Sequence, residues 1–257
     1  MSDSFLAAYS GATRVLFIVG DPIAQVKSPS QVTARLRERG LDAVVVPAHV
    51  APEDLSVWMA ATARMRNCDG VIVTVPHKFA ALPLCDALTP RARSIGAVNV
   101  MRRTASGGWL GDHCDGEGFV AGLRAAGCEP RGRRALLVGA GGAGSAIAHA
   151  LVDAGVASLA VHEADTARRD LLIDKLRRYG ELRPTVGSAD PAGVDLVVNA
   201  TPMGMREADP LPFDVGRLAP GTFVGDVVTV PEVPPLIQAA RARGCGTMTG
   251  TGMFTAV

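Results

Sequence analysis

The sequence predicts an α/β protein with two domains, each built around a mainly parallel β-sheet. Short β-branched runs alternate with helical segments along the whole chain, which is typical of parallel strands joined by crossover helices. The alternation pauses at a glycine- and arginine-rich stretch, residues 127–134, and then begins again. A chain of 257 residues is long enough for two domains of ordinary size.

In the first half, the apolar runs are short and end at glycine or proline. Gly20 and Pro22 follow the first run, Gly40 ends the first helical segment, and Pro76 follows the third run. These residues interrupt strands and helices, so the periodic segments between them define separate elements. The predicted strands are Val15–Val19, Ala43–Val46 and Gly70–Val75, and the predicted helices are Ser30–Arg39 and Leu55–Met65.

The second half repeats this pattern more clearly. Its predicted strands are Ala135–Val138, Ser158–Val161, Asp195–Asn199 and Thr222–Val227, and its predicted helices are Ser145–Ala154 and Leu171–Tyr179. The sequence closes on an apolar helical segment, residues 250–257, that has no cap. We therefore expect a further C-terminal element in the native protein.

The composition excludes several classes of function. A net charge of +1 gives no bulk attraction to nucleic acid or anionic lipid, and only 4% of the residues are aromatic. No run approaches the roughly eighteen apolar residues of a membrane span, and residues 1–14 lack the pattern of a secretory signal. The five cysteines are scattered without a CxxC pair, which favours a reducing cytoplasm over disulfides or a metal site.

A glycine loop follows the first predicted strand of the second half. Its sequence, Gly-Ala-Gly-Gly-Ala-Gly, fits G-x-G-x-x-G between a strand and a helix. The spaced glycines allow a tight turn, close approach of the backbone to a pyrophosphate, and close packing of the helix on the strand. The loop predicts a Rossmann domain that binds a dinucleotide, and a glycine-rich turn without a ligand is the alternative. The residues assigned to the dinucleotide are Gly139, Ala140, Gly141, Gly142, Ala143 and Gly144.

An acidic residue lies where such domains recognise the adenosine ribose. Glu163 follows the second strand, 24 positions after Gly139, and a carboxylate there accepts hydrogen bonds from the ribose hydroxyls. It would repel a 2′-phosphate, and the nearest arginines, Arg168 and Arg169, lie further along the chain. We therefore expect NAD as the preferred cofactor, with NADP as the alternative. A solvated loop acid is the competing interpretation of Glu163.

Polar residues also follow strands of the first half. Lys78 comes just after the third predicted strand, whereas Asn99 and Asp115 lie in polar segments further on. Ligands of open α/β sheets bind beyond the carboxyl ends of the strands. A carboxylate can orient a lysine whose pKa is lowered by burial, so Lys78 and Asp115 could transfer a proton as a hydride leaves the substrate. Only three of the 26 basic residues are lysines, which gives more weight to a functional role of Lys78. The alternative interpretations are a surface lysine for Lys78 and a helix N-cap for Asp115.

Seven stretches share one order with a known family. They are GDPIAQVKSP, GVIVTVPHK, IGAVN, GDHCDGEGF, VGAGGAG, VNATPMGM and the region Asp226–Gly252. Each is weakly specific alone, but in this order and spacing they resemble the shikimate dehydrogenase family from about Val15 to Val257. The resemblance implies reversible hydride transfer between NAD(P) and a ring hydroxyl of shikimate or a related, quinate-like cyclic hydroxy acid.

The resemblance also implies a domain division and roles for individual residues. Residues 1–115 would form the substrate domain, completed by residues 240–257 and a C-terminal helix, and residues 116–239 would form the Rossmann domain of a monomer or homodimer. Lys78 falls on the family's catalytic lysine and Asp115 on its partner aspartate. The substrate-contacting positions are Ser28, Thr74 and Asn99, and the cofactor-contacting positions are Asn199, Thr201, Met203 and Gly252.

Departures from the family pattern fall on the substrate positions. Val26, Ile72, His113 and Thr229 occupy places where the family usually has serine, asparagine, asparagine and tyrosine. Each lost hydrogen-bond partner weakens the binding of a hydroxyl or carboxylate by about 1–3 kcal/mol. An amino-substituted acid or a less polar alcohol is therefore a candidate substrate in addition to shikimate and quinate. A dinucleotide-binding sensor or partner-binding module that has lost catalysis is the alternative function.

Overall fold

The chain folds into two α/β units. The computed structural model describes residues 9–255, and these divide between His113 and Cys114 into two compact units. The division lies two residues before the predicted boundary, and residues 240–255 belong to the second unit. The completion of the first domain by residues 240–257 stays a prediction, and residues 256 and 257 lie outside the described part of the chain.

The first unit is built on a mixed sheet. Its strands within the described residues are β1 (Arg14–Gly20), β2 (Ala43–His49), β3 (Cys68–Val73), β4 (Ala87–Leu88), β5 (Val100–Arg103) and β6 (Trp109–Asp112). They lie in the order β2-β1-β3-β5-β6-β4. The predicted strands β1, β2 and β3 are confirmed and pair in parallel, whereas β5 runs antiparallel to β3 and β6. The carboxyl ends of β1, β2 and β3 therefore share one edge of the sheet.

Helices flank this sheet. They are α1 (Ser28–Glu38), α2 (Leu55–Thr62) and α3 (Pro90–Ile95). α1 begins two residues earlier than predicted, because Pro29 fits the first turn of a helix, where its missing N–H costs nothing. Buried side chains of α2 and of the strands form the core of the unit, among them Val19, Leu55, Met59 and Val71.

The second unit contains a parallel sheet. Its strands within the described residues are β7 (Arg134–Val138), β8 (Ser158–His162), β9 (Thr185–Val186), β10 (Leu196–Asn199), β11 (Phe223–Asp226) and β12 (Gly246–Met248). The order β12-β11-β10-β7-β8-β9, with every pair parallel, is that of a Rossmann sheet and confirms the predicted fold class. The connections change direction between β7 and β10, and ligands of such sheets bind at that switch point.

The helices of the second unit within the described residues are α4 (Asp115–Ala125), α5 (Gly142–Asp153), α6 (Thr166–Tyr179), α7 (Pro235–Ala242) and α8 (Gly250–Thr255). Two of them, α5 and α6, begin three and five residues earlier than the sequence predicts. α6 gains its first turn because the Asp165 side chain caps it by accepting a hydrogen bond from the Arg168 N–H at 3.1 Å. None of the helices within residues 9–255 has the length and apolar character needed to cross a bilayer.

One arginine fastens α2 to the sheet of the first unit. Arg103, the last residue of β5, uses all five N–H groups of its guanidinium, each donated to a backbone carbonyl. The acceptors are the carbonyl oxygens of Thr62, Ala63, Met65, Cys68 and Gly107, at 2.8–3.2 Å. The guanidinium also lies 4.3 Å from the centroid of the Trp109 ring. Arg103 thereby satisfies carbonyls at the C-terminal end of α2 that have no partner inside the helix.

Replacement of this arginine should destabilise the first unit. We expect Arg103→Ala to lower the free energy of unfolding by about 2–4 kcal/mol, because several carbonyls lose their donor at once. Urea unfolding followed by circular dichroism measures the change. Arg102→Ala, at the exposed neighbouring position of β5, is the matched control and should alter stability by less than about 0.5 kcal/mol. Equal losses in the two variants would contradict the role given to Arg103.

Candidate active site

The glycine loop lies at the switch point of the second sheet. β7 ends at Val138, Gly139 adopts a left-handed φ of +104°, and α5 begins at Gly142. The helix therefore starts three residues before the predicted Ser145, with Ala143 in its first turn. The first N–H groups of a helix have no partner inside it, and the helix dipole favours negative charge there. This end of α5 suits a phosphate group.

Close backbone contacts explain the glycines of the loop. A Cβ on Gly144 would collide with the carbonyl oxygen of Gly139, and a Cβ on Gly139 would lie 2.9 Å from the carbonyl carbon of Ala200. A Cβ on Gly141, in contrast, would meet no atom within 4 Å. The loop is packed tightly on one side and open at Gly141, which fits a cradle for the pyrophosphate of a dinucleotide.

Glu163 is fixed beside the glycine loop. Its Oε2 accepts a hydrogen bond from the Ala140 N–H at 2.9 Å, and its Oε1 accepts one from the Asp165 N–H at 3.1 Å. The side chain is only 13% exposed. A carboxylate offers about four acceptor positions, so two N–H donors leave capacity for a ribose hydroxyl.

An arginine does lie beside Glu163, and the expectation that none would be near is wrong. Nη1 of Arg168 is 3.7 Å from Oε2 of Glu163, and its Nη2 is 3.4 Å from Oδ2 of Asp165. Residue 168 comes close because Asp165 caps α6 and the first helical turn brings its third residue back towards the end of β8. The local charge is two carboxylates against one guanidinium.

The side chain of Asn199 organises the loop after β10, residues 200–205. Its Oδ1 accepts hydrogen bonds from the N–H of Thr201 at 3.0 Å and from the Thr201 hydroxyl at 2.6 Å, and its Nδ2 donates to the Met203 carbonyl at 3.2 Å. The Thr201 oxygen accepts in turn from the Met203 N–H at 3.1 Å. The structure thus brings Thr201, which is hydrogen-bonded to Asn199, next to Gly139, while the side chain of Met203 is exposed.

Asp226, which the sequence did not single out, completes this network. It is the last residue of β11 and fully buried, and its Oδ1 accepts hydrogen bonds from Nδ2 of Asn199 at 3.1 Å and from the Val228 N–H at 2.9 Å. Burial raises the pKa of this carboxyl to about 7, although these hydrogen bonds act in the opposite direction. A usable signal was present, because Asp226, like Asn199, is a polar residue at the end of an apolar strand.

In the first unit, Lys78 lies on a turn at the carboxyl edge shared by β1, β2 and β3. The strand predicted to reach Val75 ends at Val73, because residues 74–78 turn away, with the His77 N–H donating to the Thr74 carbonyl at 3.0 Å. The Thr74 N–H donates to the Val19 carbonyl at 2.9 Å, and the Lys78 carbonyl accepts from the Val98 N–H at 2.9 Å. The main chain around Lys78 is therefore fixed on both sides.

The turn is also anchored by the residue before Lys78. His77 is 1% exposed, and its Nε2 lies 2.8 Å from the Val50 carbonyl oxygen. Since a carbonyl only accepts, Nε2 carries the proton. Lys78 itself is half-buried, so the two neighbouring side chains lie in different surroundings.

The predicted substrate positions of the first unit lie on several elements. The Asn99 carbonyl accepts from the Val73 N–H at 2.7 Å, and the Asn99 N–H donates to the Asp112 carbonyl at 3.0 Å, so Asn99 is held beside the end of β3. Ser28 is the first residue of α1 and 5% exposed. The half-buried members of the set are Val26, Ile72 and Thr74.

The remaining predicted residues lie at or beyond the division between the units. Asp115 is the first residue of α4, but Cys114 occupies the N-cap position, so the N-cap interpretation of Asp115 is wrong. His113 is fully buried, and Thr229 is half-buried in the segment after β11. Gly252 lies in α8, which packs closely against α4: a Cβ on Gly122 of α4 would lie 2.8 Å from the carbonyl oxygen of Gly252. Within residues 9–255, no three His, Cys, Asp or Glu side chains converge as metal ligands would.

Comparison with known proteins agrees with this arrangement. Residues 18–101 match the family model described as the shikimate dehydrogenase substrate binding domain. The shikimate dehydrogenase (NADP(+)) of Acidiphilium cryptum is 40% identical over 248 residues, which cover 95% of this chain and 87% of that protein.

Solved structures show the same fold. A quinate dehydrogenase from Corynebacterium glutamicum in complex with NAD is 33% identical, with a TM-score of 0.84 over 94% of this chain and 89% of that one. A ligand-free 5-ketofructose reductase of Gluconobacter sp. strain CHM43 is 29% identical, with a TM-score of 0.82 over 96% and 90%. With 40% identity over almost its full length to a curated member, the chain belongs to the shikimate dehydrogenase family of NAD(P)-dependent oxidoreductases.

Proposed function

We propose that the protein transfers a hydride reversibly between NAD(P) and a ring hydroxyl of a cyclic hydroxy acid, with Lys78 as the acid–base group. The position of Lys78 carries the proposal. This lysine, one of three in the chain, is held through its own carbonyl at the carboxyl edge of β1, β2 and β3, where ligands of such sheets bind.

The second unit would hold the dinucleotide. NAD(P), when bound, supplies a nicotinamide ring that accepts or donates the hydride. The glycine loop, residues 139–144, would hold the pyrophosphate and Glu163 the adenosine ribose. By the sequence resemblance to the family, residues 199–203 and Gly252 would contact the nicotinamide end. The open space at Gly141 and the free acceptor capacity of Glu163 support this assignment.

Lys78 would move the proton that accompanies the hydride. In the oxidising direction its neutral amine accepts the proton of the substrate hydroxyl, and in the reducing direction its ammonium returns a proton to the carbonyl oxygen. On the family match alone, Asp115 is the partner carboxylate that orients this amine. The other two lysines of the chain lie far from Lys78 in sequence, so no adjacent lysine could take over its role.

The substrate is proposed to be shikimate or a quinate-like acid. Ser28, Thr74 and Asn99 supply hydroxyl and amide groups for its polar substituents, and His113 and Thr229 take positions that the family usually fills with asparagine and tyrosine. The apolar side chains at positions 26 and 72 leave fewer partners for the carboxylate. Similar chains named for shikimate, for quinate and for 5-ketofructose support a substrate choice that varies within one fold.

We further propose that NAD is preferred over NADP. Glu163 is held in place by two N–H groups, whereas the half-exposed Arg168 is already balanced by Glu163 and Asp165. The net local charge of about −1 opposes a 2′-phosphate, which carries about −1.5 to −2 charges at pH 7. The relative from Acidiphilium cryptum is named for NADP(+), which argues against this preference.

Loss of the lysine should strongly reduce turnover but not dinucleotide binding. We expect Lys78→Ala to lower kcat by about 10²–10⁴ with shikimate or quinate, because proton transfer loses its acid–base group. Nicotinamide absorbance at 340 nm measures turnover, and NADH titration measures binding. Lys175→Ala, on α6, is the control and should retain full activity. Saturable NADH binding without turnover of any alcohol, already in the wild type, would favour a non-catalytic module instead.

The charge at Glu163 should set the choice of cofactor. We expect the wild type to show a kcat/KM for NAD about tenfold or more above that for NADP. Glu163→Gln should bring the two values closer together by raising kcat/KM for NADP. Arg168→Ala should reduce the use of NADP more than that of NAD. A wild type with the higher kcat/KM for NADP would refute the preference for NAD. A ratio of the two kcat/KM values that Glu163→Gln leaves unchanged would refute the role of Glu163.

Restoring polar groups should improve the use of shikimate. We expect Val26→Ser combined with Ile72→Asn to raise kcat/KM for shikimate about tenfold or more, mainly through a lower KM. Val57→Ser, at a 73% exposed position of α2, is the control substitution in the same unit. An unchanged KM in the double variant would show that neither position contacts the acid.

A further inference from the structure

Asp226 is a buried carboxylate to which the proposed reaction assigns no task. Its side chain is fully buried at the carboxyl end of β11, and its Oδ1 receives the hydrogen bonds of Asn199 and of the Val228 N–H. Its Oδ2 is also buried and has no hydrogen-bond partner among the described residues. A buried carboxylate oxygen without a donor costs free energy, so a reason for its presence is expected.

The carboxylate, together with the Thr201 N–H and the Met203 carbonyl, fixes which way the Asn199 amide points. An ionised carboxylate only accepts hydrogen bonds, so it selects the Nδ2 end of the amide and directs Oδ1 of Asn199 towards Thr201. A rotated amide would place its oxygen against Oδ1 of Asp226 and its NH2 group against the Thr201 N–H, so that acceptor would face acceptor and donor would face donor. The arrangement of residues 200–205 thus depends on Asp226 through one side chain.

We propose that Asp226 is a positioning residue that, through Asn199, holds the loop at residues 200–205 in place for the nicotinamide end of the dinucleotide, and that its ionisation makes binding of that end pH-dependent. The inference rests on the proposed assignment of residues 199–203 to the nicotinamide. Asp226 touches neither substrate nor cofactor in this proposal and acts only through Asn199.

The direction of the pH dependence follows from the two states of the carboxyl. Burial raises the pKa of Asp226 to about 7, so the group is largely neutral at pH 6 and ionised at pH 8. Hydrogen bonds to an ionised acceptor are shorter and stronger than bonds to a neutral one. The Asn199 amide, and with it the loop, is therefore held more tightly as the pH rises through 7.

Other charged groups do not account for this behaviour. Among residues 9–255, the raised pKa of Asp226 has burial as its cause, and no charged side chain contributes to it. β10 itself carries no charged side chain, and Asp195 precedes it at the end opposite Asn199. The charged residues on the neighbouring helices are Asp115, Glu117 and Arg124 on α4, and Arg241 on α7. β12 and α8 carry no charged side chain.

Calorimetric titration of the full chain with NADH and with ADP-ribose, between pH 6 and 8.5, tests the proposal. NADH is used because the 2′-phosphate of NADPH itself titrates near pH 6. ADP-ribose has the same adenosine and pyrophosphate but lacks the nicotinamide. We expect the wild-type affinity for NADH to rise about fivefold across this range, and the affinity for ADP-ribose to stay constant.

Asp226→Asn imitates the neutral carboxyl and should bind NADH at every pH with the affinity that the wild type shows at pH 6. A pH-independent wild-type affinity for NADH overturns the proposal, and so does a rise that persists in Asp226→Asn or that also appears with ADP-ribose. If Asp226→Asn does not fold, the comparison of the two ligands on the wild type still decides between these outcomes. Failure of both ligands to bind the wild type would refute the proposed dinucleotide site instead.

Discussion

The close approach of the glycine loop to the chain beyond β10 is the contact on which the arrangement of the second unit depends. β7 and β10 are neighbours in a parallel sheet, so their following loops meet at the same edge. Gly139 and Gly144 leave no room for a Cβ there, since Ala200 lies against one and the loop's own carbonyl against the other. A side chain at Gly144 would displace α5, and the N–H groups that suit a phosphate would move with it.

This edge also holds two carboxylates in contrasting surroundings. Glu163, after β8, is partly exposed, receives two backbone N–H groups and has Arg168 nearby, so its negative charge is available to a ligand. Asp226, after β11, is fully buried among uncharged groups, and its pKa lies near 7. Two carboxyl groups at the same edge can therefore serve different tasks, Glu163 in recognition and Asp226 in positioning. The surroundings of each group, rather than the carboxyl group itself, determine at which pH it is charged.

Local rules predicted the elements that local interactions determine. Strands such as β1 and β7 follow from short apolar runs, and the glycine loop follows from its spacing. The start of α6 was misplaced because the Asp165 cap was not included. Contacts distant in sequence could not be predicted in this way. Arg103 reaches carbonyls 35–41 residues away, and Asp226 meets Asn199 across 27 residues. Arg168 was missed at short range, since only the Asp165 cap brings it back to Glu163.

In the first unit, the hydrogen bonds that place Lys78 do not involve the side chains that we propose to influence the choice of substrate. The turn that carries Lys78 is held by main-chain hydrogen bonds to Val19 and Val98, and none of these bonds involves the side chain of Val26 or Ile72. Substitutions at those two positions therefore leave these main-chain hydrogen bonds of the Lys78 turn in place. Apolar residues where the family has serine and asparagine fit a site that keeps its chemistry while its polar contacts to substrate change, and they do not by themselves indicate a loss of catalysis.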